Sequence, residues 1–203
     1  MLKEVELPFG NKIYQLKNGQ SITSDSTQLL DFIRNRNQQK QLDVLELGSG
    51  NGIILIMLSH YFPNWKLTGI EIQKELVELS IKNSEISKKK IDFQKADLKE
   101  YRKPAKFDII ISNPPYYAKN QGKISPIKTR AISRHEILCS MYDIFFNIKE
   151  NLKPKGKAYL IYPALRMDEI NKTLKKVDLR ITEILIINMN MKSEKIAMEL
   201  VHA

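Results

Sequence analysis

The chain has 203 residues, of which 42% are hydrophobic, so it is long and apolar enough for one compact domain with a buried core and does not have the composition of a disordered polypeptide. Its formal net charge of +10 is typical of proteins that bind polyanions, although an AT-rich codon bias would enrich lysine in the same way. Its one cysteine, Cys139, excludes an internal disulfide and fits a cytoplasmic protein, and no apolar run approaches the roughly 18–20 residues that span a bilayer.

The N-terminal segment, residues 1–34, has its own pattern. Short strands are predicted at Lys12–Leu16 and Ser21–Thr23, on either side of Asn18-Gly19, a dipeptide typical of hairpin turns. The run Ser24-Asp25-Ser26 then provides the N-cap of a helix with regularly spaced apolar residues. We expect this hairpin and helix to pack near the functional site.

The rest of the chain, residues 35–203, alternates apolar runs with amphipathic patterns and completes a single domain, 1–203. Strands are predicted at Asp43–Leu47, Lys66–Ile70, Ile91–Lys95, Phe107–Ser112, Lys157–Tyr162, Ile181–Met189 and Lys195–Val201. Helices are predicted at Ile53–Tyr61, Lys74–Lys88, Glu136–Leu152 and Asp168–Val177. The alternation predicts an α/β fold, a mostly parallel seven-stranded sheet with helices on both faces. The last two strands lack an intervening helix and predict an antiparallel hairpin at one edge.

A glycine-rich turn follows the first of these strands, with the sequence Glu46-Leu47-Gly48-Ser49-Gly50-Asn51-Gly52. Glycines let a backbone turn tightly and approach a ligand closely, so Gly48, Ser49 and Gly50 are predicted to contact a cofactor. Dinucleotide-binding proteins also have such a turn, but with the spacing G-x-G-x-x-G instead of G-x-G-x-G. The acid at Glu46 suits the ammonium group of a methionine moiety better than a pyrophosphate.

Two further acids follow the next two strands. Glu71, with Ile72 beside it, ends the second strand, where a carboxylate can accept both hydroxyls of a ribose. Asp97 follows the third strand and is placed to accept the amine of an adenine, while Leu98 is placed to donate its backbone N–H to the ring. Each acid alone has an ordinary explanation as a helix cap or turn residue. Acids at the carboxyl ends of three successive strands together predict a ligand site, because ligands bind at that edge of open α/β sheets.

The fourth strand leads into the sequence Ser112-Asn113-Pro114-Pro115-Tyr116-Tyr117, the most specific signal in the chain. The prolines end the strand and keep the Pro114 carbonyl out of a ladder. That carbonyl and the side-chain oxygen of Asn113 can each accept a hydrogen from a planar –NH2 group, which aligns the nitrogen lone pair with a methyl donor. Tyr116 can stack on a flat ring. Asn113, Pro114 and Tyr116 are therefore the predicted catalytic residues, with Asn113 also facing the cofactor.

The order of these motifs, from the glycine turn through Glu71 and Asp97 to Asn113–Tyr116, resembles class I Rossmann-like methyltransferases of the Asn-Pro-Pro-Tyr group. The resemblance covers nearly the whole chain. Bacterial tRNA adenine-N6 methyltransferases acting on valine tRNA look most similar, since they share segments like Gln20–Phe32 and Thr129–Glu136. The resemblance implies S-adenosyl-L-methionine as the cofactor and N6 methylation of the adenosine beside the anticodon.

A basic segment follows Ser112–Tyr117, named the catalytic motif after its predicted role. Between Ala118 and His135 there is no acid, whereas several side chains are cationic. Phosphate anchoring beside a base pocket would have this pattern, although a solvated loop would also have it. The predicted RNA contacts are Tyr117, Lys119, Lys123, Lys128, Arg130 and Arg134. We expect tRNA as the partner and neither a metal nor a membrane.

Other functions fit part of the pattern. A release-factor glutamine methyltransferase acts on the same kind of –NH2 group. Such enzymes are expected to have a separate helical domain before the glycine turn, and only about forty residues precede Asp43 here. A ribosomal RNA guanine-N2 methyltransferase and a non-catalytic RNA-binding module are further alternatives; intact Asn113 and the three acids disfavour the second. A DNA adenine methyltransferase would need a target-recognition insertion that the sequence lacks. The target position and the oligomeric state stay open.

Overall fold

The computed structural model describes residues 2–7, 9–10, 12–17, 24–116, 131–132, 136–187 and 194–203. The strands are β1 (Leu2–Glu6), β2 (Lys12–Leu16), β3 (Asp43–Leu47), β4 (Lys66–Glu71), β5 (Asp92–Lys95), β6 (Phe107–Ser112), β7 (Leu152–Pro163), β8 (Leu179–Ile187) and β9 (Lys195–His202). The helices are α1 (Ser24–Arg34), α2 (Ile53–Tyr61), α3 (Lys74–Ile86), α4 (Met141–Asn151) and α5 (Met167–Val177), with a 3-10 turn at Ala164–Arg166 before α5.

Seven of the strands form one sheet in the order β5-β4-β3-β6-β7-β9-β8. The five strands from β5 to β7 are parallel, and β9 runs antiparallel between β7 and the edge strand β8. The order of the strands switches between the parallel strands β3 and β6. From β3 the chain adds β4 and β5 on one side, and it then adds β6 and β7 on the other. A crevice forms at such a point outside the carboxyl ends of the strands. The predicted fold class and the C-terminal hairpin are confirmed.

Helices cover both faces of this sheet, as the nearly all-apolar strands require. Alternate residues of one strand point to opposite faces, so Val44 belongs to the core beneath α1 and α2, whereas Leu45 belongs to the core beneath α4 and α5. The same division separates Ile109 from Ile110 on β6. Two apolar cores therefore fix the sheet from both sides and hold its carboxyl edge in place.

The N-terminal hairpin includes a strand, β1, that was not predicted. Strand β2 has the predicted bounds, but its partner is β1, with Leu2 opposite Leu16 and Glu6 opposite Lys12. The two strands are joined by a turn in which Gly10, at φ 74°, donates its N–H to the carbonyl of Leu7. The predicted pairing around Asn18-Gly19 stays a prediction, because residues 18–23 lie outside the described part of the chain.

The side chain of Asn83, fully buried on α3, attaches this hairpin to the core. Its amide accepts the N–H of Tyr14 at 2.8 Å and donates to the Tyr14 carbonyl at 2.9 Å, so it continues the backbone pairing of β2. It also donates to the carbonyl of Asn51 in the glycine turn at 3.0 Å. One side chain thus links the N-terminal hairpin to the turn predicted to hold a cofactor.

Some predicted boundaries move. Helix α4 begins at Met141 and not at Glu136, because Ser140 and Asp143 form a capping box that starts the helix there. Strand β7 begins at Leu152, before the predicted start at Lys157, and a register irregularity against β6 accommodates the extra length. The helix α1 begins at Ser24, so Asp25 lies in its first turn and does not cap it. None of the helices described is long and apolar enough to cross a membrane.

Candidate active site

The carboxyl ends of the central strands meet at one edge of the sheet. Leu47 at the end of β3 lies opposite Ile70 of β4 and opposite Ser112 of β6. The hydroxyl of Ser112 donates to the Leu47 carbonyl at 3.0 Å, which ties the glycine turn to the catalytic motif. The residues directly after β3, β4, β5 and β6 all border one pocket, among them Gly48, Ile72, Ala96 and Asn113.

The glycine turn folds back on β4. The N–H groups of Gly48 and Ser49 both donate to the carbonyl of Ile70, at 2.9 and 3.0 Å. Gly48, Gly50 and Gly52 have φ values of 71°, 54° and 82°, in the left-handed region that glycine adopts without strain. The glycine spacing read from the sequence thus corresponds to three backbone positions where a side chain would be costly.

Gly69 is a residue that the sequence analysis missed. A Cβ atom there would lie 2.9 Å from Cβ of Ser49 and 2.7 Å from the ring of Phe93. Gly69 is in the middle of β4, opposite Glu46, where glycine normally weakens a strand. Its missing side chain makes room for the glycine turn and for Phe93. An isolated glycine inside an apolar strand was the available signal.

Glu46 and Glu71 form a buried acidic pair. Both side chains are almost fully buried, and Oε2 of Glu46 has no hydrogen-bond partner within the described residues. Burial, followed by the charge of Glu71, raises the pKa of Glu46 well above its ordinary value of 4.5. Burial also raises the pKa of Glu71, against hydrogen bonds from backbone N–H groups that lower it. Buried acids without full compensation are typical of sites that receive a cationic or hydrogen-donating ligand.

Asp97 lies at the same edge after β5. Its Oδ1 accepts the N–H of Lys99 at 2.9 Å, as in an ordinary Asx turn, and the side chain still borders the pocket. The N–H of Ala96 donates to the Glu71 carbonyl at 3.0 Å, which fixes this turn against β4. The neighbouring Leu98 borders the pocket and accepts the side-chain amide of Asn147 at its carbonyl.

The catalytic motif has contacts that the sequence did not predict. Oδ1 of Asn113 accepts the hydroxyl of Tyr116 at 2.6 Å, while Nδ2 lies 3.4 Å from the hydroxyl of Ser26. The Tyr116 hydroxyl also lies 2.9 Å from Oδ2 of Asp25, and burial followed by the charge of Asp25 raises its pKa. Lys195 pairs with Asp25 and sits over the Tyr116 ring, 4.3 Å from its centroid.

Arg166, buried at the start of α5, contacts both sides of the segment that follows the motif. Its guanidinium donates to the Tyr116 carbonyl at 3.4 Å and pairs with Glu136 and Glu169. The side chains of Arg166 and Glu136 are 7% and 9% exposed, so this is a desolvated ion pair that is costly to break from one side. Burial raises the pKa of Glu136, and the Arg166 charge opposes that rise.

The pocket brings together all of the predicted cofactor residues. It is bordered by Glu46, Gly48, Ser49, Gly50, Glu71, Ile72, Asp97, Leu98, Asn113 and Pro114. Tyr116 is not among its bordering residues; its hydroxyl is turned toward Asp25 and Asn113. The sequence analysis did not select several other bordering residues, among them Leu16, Ser26, Leu76, Ile132, Leu138 and Cys139.

The predicted RNA contacts cannot be placed in this site. Tyr117, Lys119, Lys123, Lys128, Arg130 and Arg134 all lie outside the described residues, as does His135. Their assignment stays a prediction from the sequence. Within the described residues, Lys195 is a cation that reaches the catalytic motif, and its distance in sequence from Tyr116 gave no signal of this contact.

A family model for the methyltransferase small domain matches residues 20–179 of the chain. The chain belongs to this family. The match covers the glycine turn, both following acids and the catalytic motif, so the predicted family is confirmed. Among solved structures, this methyltransferase domain superposes on the Pyrococcus abyssi tRNA (uracil-54, C5)-methyltransferase with a TM-score of 0.69 and 17% identity, over 98% of this chain and 44% of the other. That likeness is one of fold.

Two curated relatives of this methyltransferase small domain carry different substrates in their names. The tRNA1(Val) (adenine(37)-N6)-methyltransferase of Porphyromonas gingivalis is 29% identical over 69% of this chain and 58% of its own length. The release factor glutamine methyltransferase of Lactococcus lactis is 34% identical over 46% of this chain and 34% of its own length. The chain thus spans less than two thirds of either relative.

Proposed function

We propose that this methyltransferase small domain transfers a methyl group from S-adenosyl-L-methionine to the N6 amine of an adenine in tRNA, beside the anticodon. The observation that carries the proposal is the placement of Asn113 and Pro114 on the same pocket as Glu46, Glu71 and Asp97. Acceptors for an –NH2 group and a row of acids for a nucleoside and an ammonium thus border a single cleft. A cytoplasmic location follows from this substrate and is part of the proposal.

The residues present fit this cofactor. The buried, unpartnered Oε2 of Glu46 gives the methionine ammonium an acceptor that would restore the hydrogen bond buried carboxylates normally have. Glu71 has one oxygen bonded to the N–H of Gly50 and the other to that of Gln73, and each oxygen keeps a lone pair for a ribose hydroxyl. Asp97 borders the same pocket and is the proposed acceptor for the adenine amine. When bound, the cofactor supplies an electrophilic methyl group on a positively charged sulfur.

Asn113 then acts on the target amine. Its Oδ1 accepts the Tyr116 hydroxyl with one lone pair, and the second remains for one hydrogen of the substrate –NH2. The Pro114 carbonyl is the expected acceptor for the other hydrogen. Two acceptors on the amine hydrogens raise the electron density on the nitrogen and orient the –NH2 group so that its lone pair, perpendicular to the group's plane, faces the methyl group. The new C–N bond forms as the methyl–sulfur bond breaks, and the methylated nitrogen then gives up a proton to solvent. The gain falls on the transition state, so it should appear in turnover.

The choice of tRNA rests on two supports. One is the name of the Porphyromonas gingivalis relative, whose similarity extends over 150 residues, against 94 for the release-factor relative. The other is the acid-free basic segment between Ala118 and His135, which supplies the charge that phosphate contacts need. A release-factor glutamine is the second candidate, favoured by the 34% identity of the Lactococcus lactis protein.

One comparison of substrates separates the two candidates. The purified protein is given unmodified valine tRNA and, separately, a release-factor domain with its methyl-accepting glutamine, each with labelled S-adenosyl-L-methionine. We expect N6-methyladenosine in the digested tRNA and no label in the protein. Label in the protein with unreacted tRNA would overturn the substrate and promote the glutamine function. A guanine-N2 product from ribosomal RNA would replace both.

A further inference from the structure

Three segments far apart in the chain converge on the Tyr116 hydroxyl. Asp25 is in the first turn of α1, Tyr116 follows β6, and Lys195 begins β9. Strand β9 is antiparallel to β7 and pairs Lys195 with Pro163, so its first residue lies at the carboxyl edge of the parallel strands. Sheet topology therefore brings a lysine from near the end of the chain to an aspartate separated from it by 170 positions.

The contacts converge on the single hydrogen of the Tyr116 hydroxyl, which Asp25 and Asn113 share as the two acceptors of one three-centre hydrogen bond. Lys195 is paired with Asp25, whose Oδ2 lies 2.9 Å from the Tyr116 hydroxyl, and that hydroxyl lies 2.6 Å from Oδ1 of Asn113. The Nδ2 atom of Asn113 also lies 3.4 Å from the hydroxyl of Ser26, a longer and weaker contact. Among the described residues, the Tyr116 hydroxyl therefore makes the shortest hydrogen bond to the Asn113 amide and sets its orientation.

The ion pair of Asp25 and Lys195 is largely buried, unlike an ordinary surface ion pair. Its side chain is 2% exposed, and that of Lys195 is 18% exposed. Desolvating two charges is expensive, and an apolar pair of similar size would often be no less stable. The other carboxylate oxygen, Oδ1, is buried with no hydrogen-bond partner among the described residues, which adds to the cost of this burial. The arrangement is better explained by what the pair holds, namely the Tyr116 hydroxyl.

We infer that Asp25 and Lys195 are positioning residues, which orient Asn113 through the Tyr116 hydroxyl so that Oδ1 faces the target amine. The inference rests on the proposed function, since it assigns these residues to the same amine site. Lys195 keeps Asp25 as a hydrogen-bond acceptor and lies over the Tyr116 ring, and Asp25 holds the phenol in place. Loss of any member should loosen the Asn113 amide without touching the cofactor pocket, which none of these three side chains borders.

A double-mutant cycle on turnover tests the coupling. Asp25→Asn and Tyr116→Phe should each lower kcat for tRNA methylation by about tenfold, the loss expected for a hydrogen bond to a charged group. The double variant should be no slower than the slower single variant, because both changes remove the same restraint. S-adenosyl-L-methionine affinity by calorimetry should stay within about twofold of the wild type. Losses that multiply, or an unchanged kcat in Asp25→Asn, would overturn the inference.

Matched variants separate positioning from folding. Asp31→Asn changes an exposed aspartate on the same helix, paired with Arg34, and should leave kcat unchanged. Asp25→Asn strands the charge of Lys195, so the paired variant Asp25→Asn/Lys195→Met removes both charges and should recover melting temperature but not kcat. Recovery of both would show that the pair serves only stability and would contradict the inference.

A measurement without substrate distinguishes this inference from the proposed function. The side-chain amide signals of Asn113 in a 15N NMR spectrum are assigned by their loss in Asn113→Ala. They should shift in Asp25→Asn and in Tyr116→Phe and stay in place in Asp31→Asn. An unmoved Asn113 signal in Asp25→Asn would sink the positioning role even if tRNA is methylated. A shifted signal in a protein that methylates no tRNA would leave the coupling intact and remove the substrate assignment.

Discussion

The backbone N–H of Gly50 donates a hydrogen bond of 3.1 Å to Oε2 of Glu71. The other carboxylate oxygen accepts the N–H of Gln73 at 3.0 Å. Glu71 therefore joins the glycine turn after β3 to the start of α3 after β4, besides bordering the pocket. An acid that the sequence identified as a ribose ligand also shapes the turn that a cofactor would lie on.

Replacement of Glu71 by Gln should reveal both roles. A glutamine keeps one acceptor oxygen but turns an NH2 group toward one of the two backbone N–H donors. We expect S-adenosyl-L-methionine affinity to fall by roughly ten- to a hundredfold, the worth of a charge-assisted hydrogen bond. Calorimetry measures it, with Glu75→Gln on the exposed side of α3 as the matched control. Equal affinities in the two variants would remove Glu71 from the cofactor site.

Glu46 should make both stability and cofactor binding depend on pH. Its raised pKa means that the folded protein holds the proton more tightly than the unfolded chain, so its burial costs stability as pH rises above about 4.5, the ordinary pKa. In the cofactor-free protein, Glu46→Gln should flatten that loss in denaturant titrations at successive pH values. Cofactor binding has the opposite sign: the ammonium prefers the ionised acid, so affinity should rise with pH and binding should release a proton.

Calorimetry in buffers of different ionisation enthalpy measures that proton. The release should be present in the wild type and absent in Glu46→Gln, whose affinity should be lower at every pH where the wild-type acid ionises. The conservative change keeps the shape of the side chain, so a loss of affinity reports charge and not packing. Proton release that persists unchanged in Glu46→Gln would assign it to another group, Glu71 being the nearest.

The fold was largely predictable because short apolar runs and amphipathic helices alternate without interruption. β3, α2 and β6 have the predicted bounds, since each is a mostly apolar run, as a buried element requires, with polar or turn residues on either side. The pairing of β2 with β1 was missed because the prediction places the turn at Asn18-Gly19 and not at Gly10. A local pattern alone does not rank two possible partners of one strand.

The pocket-bordering residues were predictable for a related reason. They follow successive parallel strands, whose carboxyl ends meet by topology, so position in sequence predicts proximity in space. Asp25 and Lys195 are different. They approach Tyr116 through a helix packed on one face and an antiparallel strand inserted beside β7, which are features of the assembled sheet. Asp25 lies in the segment Gln20–Phe32 that carries part of the family resemblance, but nothing in that segment or around Lys195 predicts a contact with Tyr116.

Gly69→Ala should weaken cofactor binding by displacing the glycine turn from β4. The new methyl group would meet Cβ of Ser49 at 2.9 Å and the Phe93 ring at 2.7 Å, so the glycine turn must shift. We expect a destabilisation of about 1–3 kcal/mol, typical of overpacking, and weaker cofactor binding in the protein that folds. Thermal unfolding and calorimetry measure the two effects. Gly69→Ala/Phe93→Leu, which gives the methyl group room, should recover part of both, and no recovery would place the clash elsewhere.

Arg166→Gln should test whether Arg166 stabilises the catalytic motif. The variant leaves Glu136 buried without its cation and removes a donor to the Tyr116 carbonyl. We expect a loss of about 3–5 kcal/mol in unfolding free energy, the usual cost of breaking a buried pair from one side. Glu136→Gln/Arg166→Gln removes both charges and should recover stability. A single variant as stable as the wild type would mean that the pair is solvated.

Asn113→Ala should abolish methyl transfer while the cofactor still binds. Its Oδ1 is the acceptor proposed for the target amine, an interaction that strengthens as the nitrogen becomes nucleophilic, so its removal should fall on kcat. The acids proposed to hold the cofactor are unchanged, so calorimetry should give an S-adenosyl-L-methionine affinity within about threefold of the wild type, since only a neutral contact is lost. Ser26→Ala, which removes the weaker 3.4 Å contact to the same amide, is the matched control and should keep most of the turnover.

A rapid single turnover in Asn113→Ala would rule out the amide as the acceptor. A loss of cofactor affinity equal to the loss of turnover would assign Asn113 to cofactor binding alone.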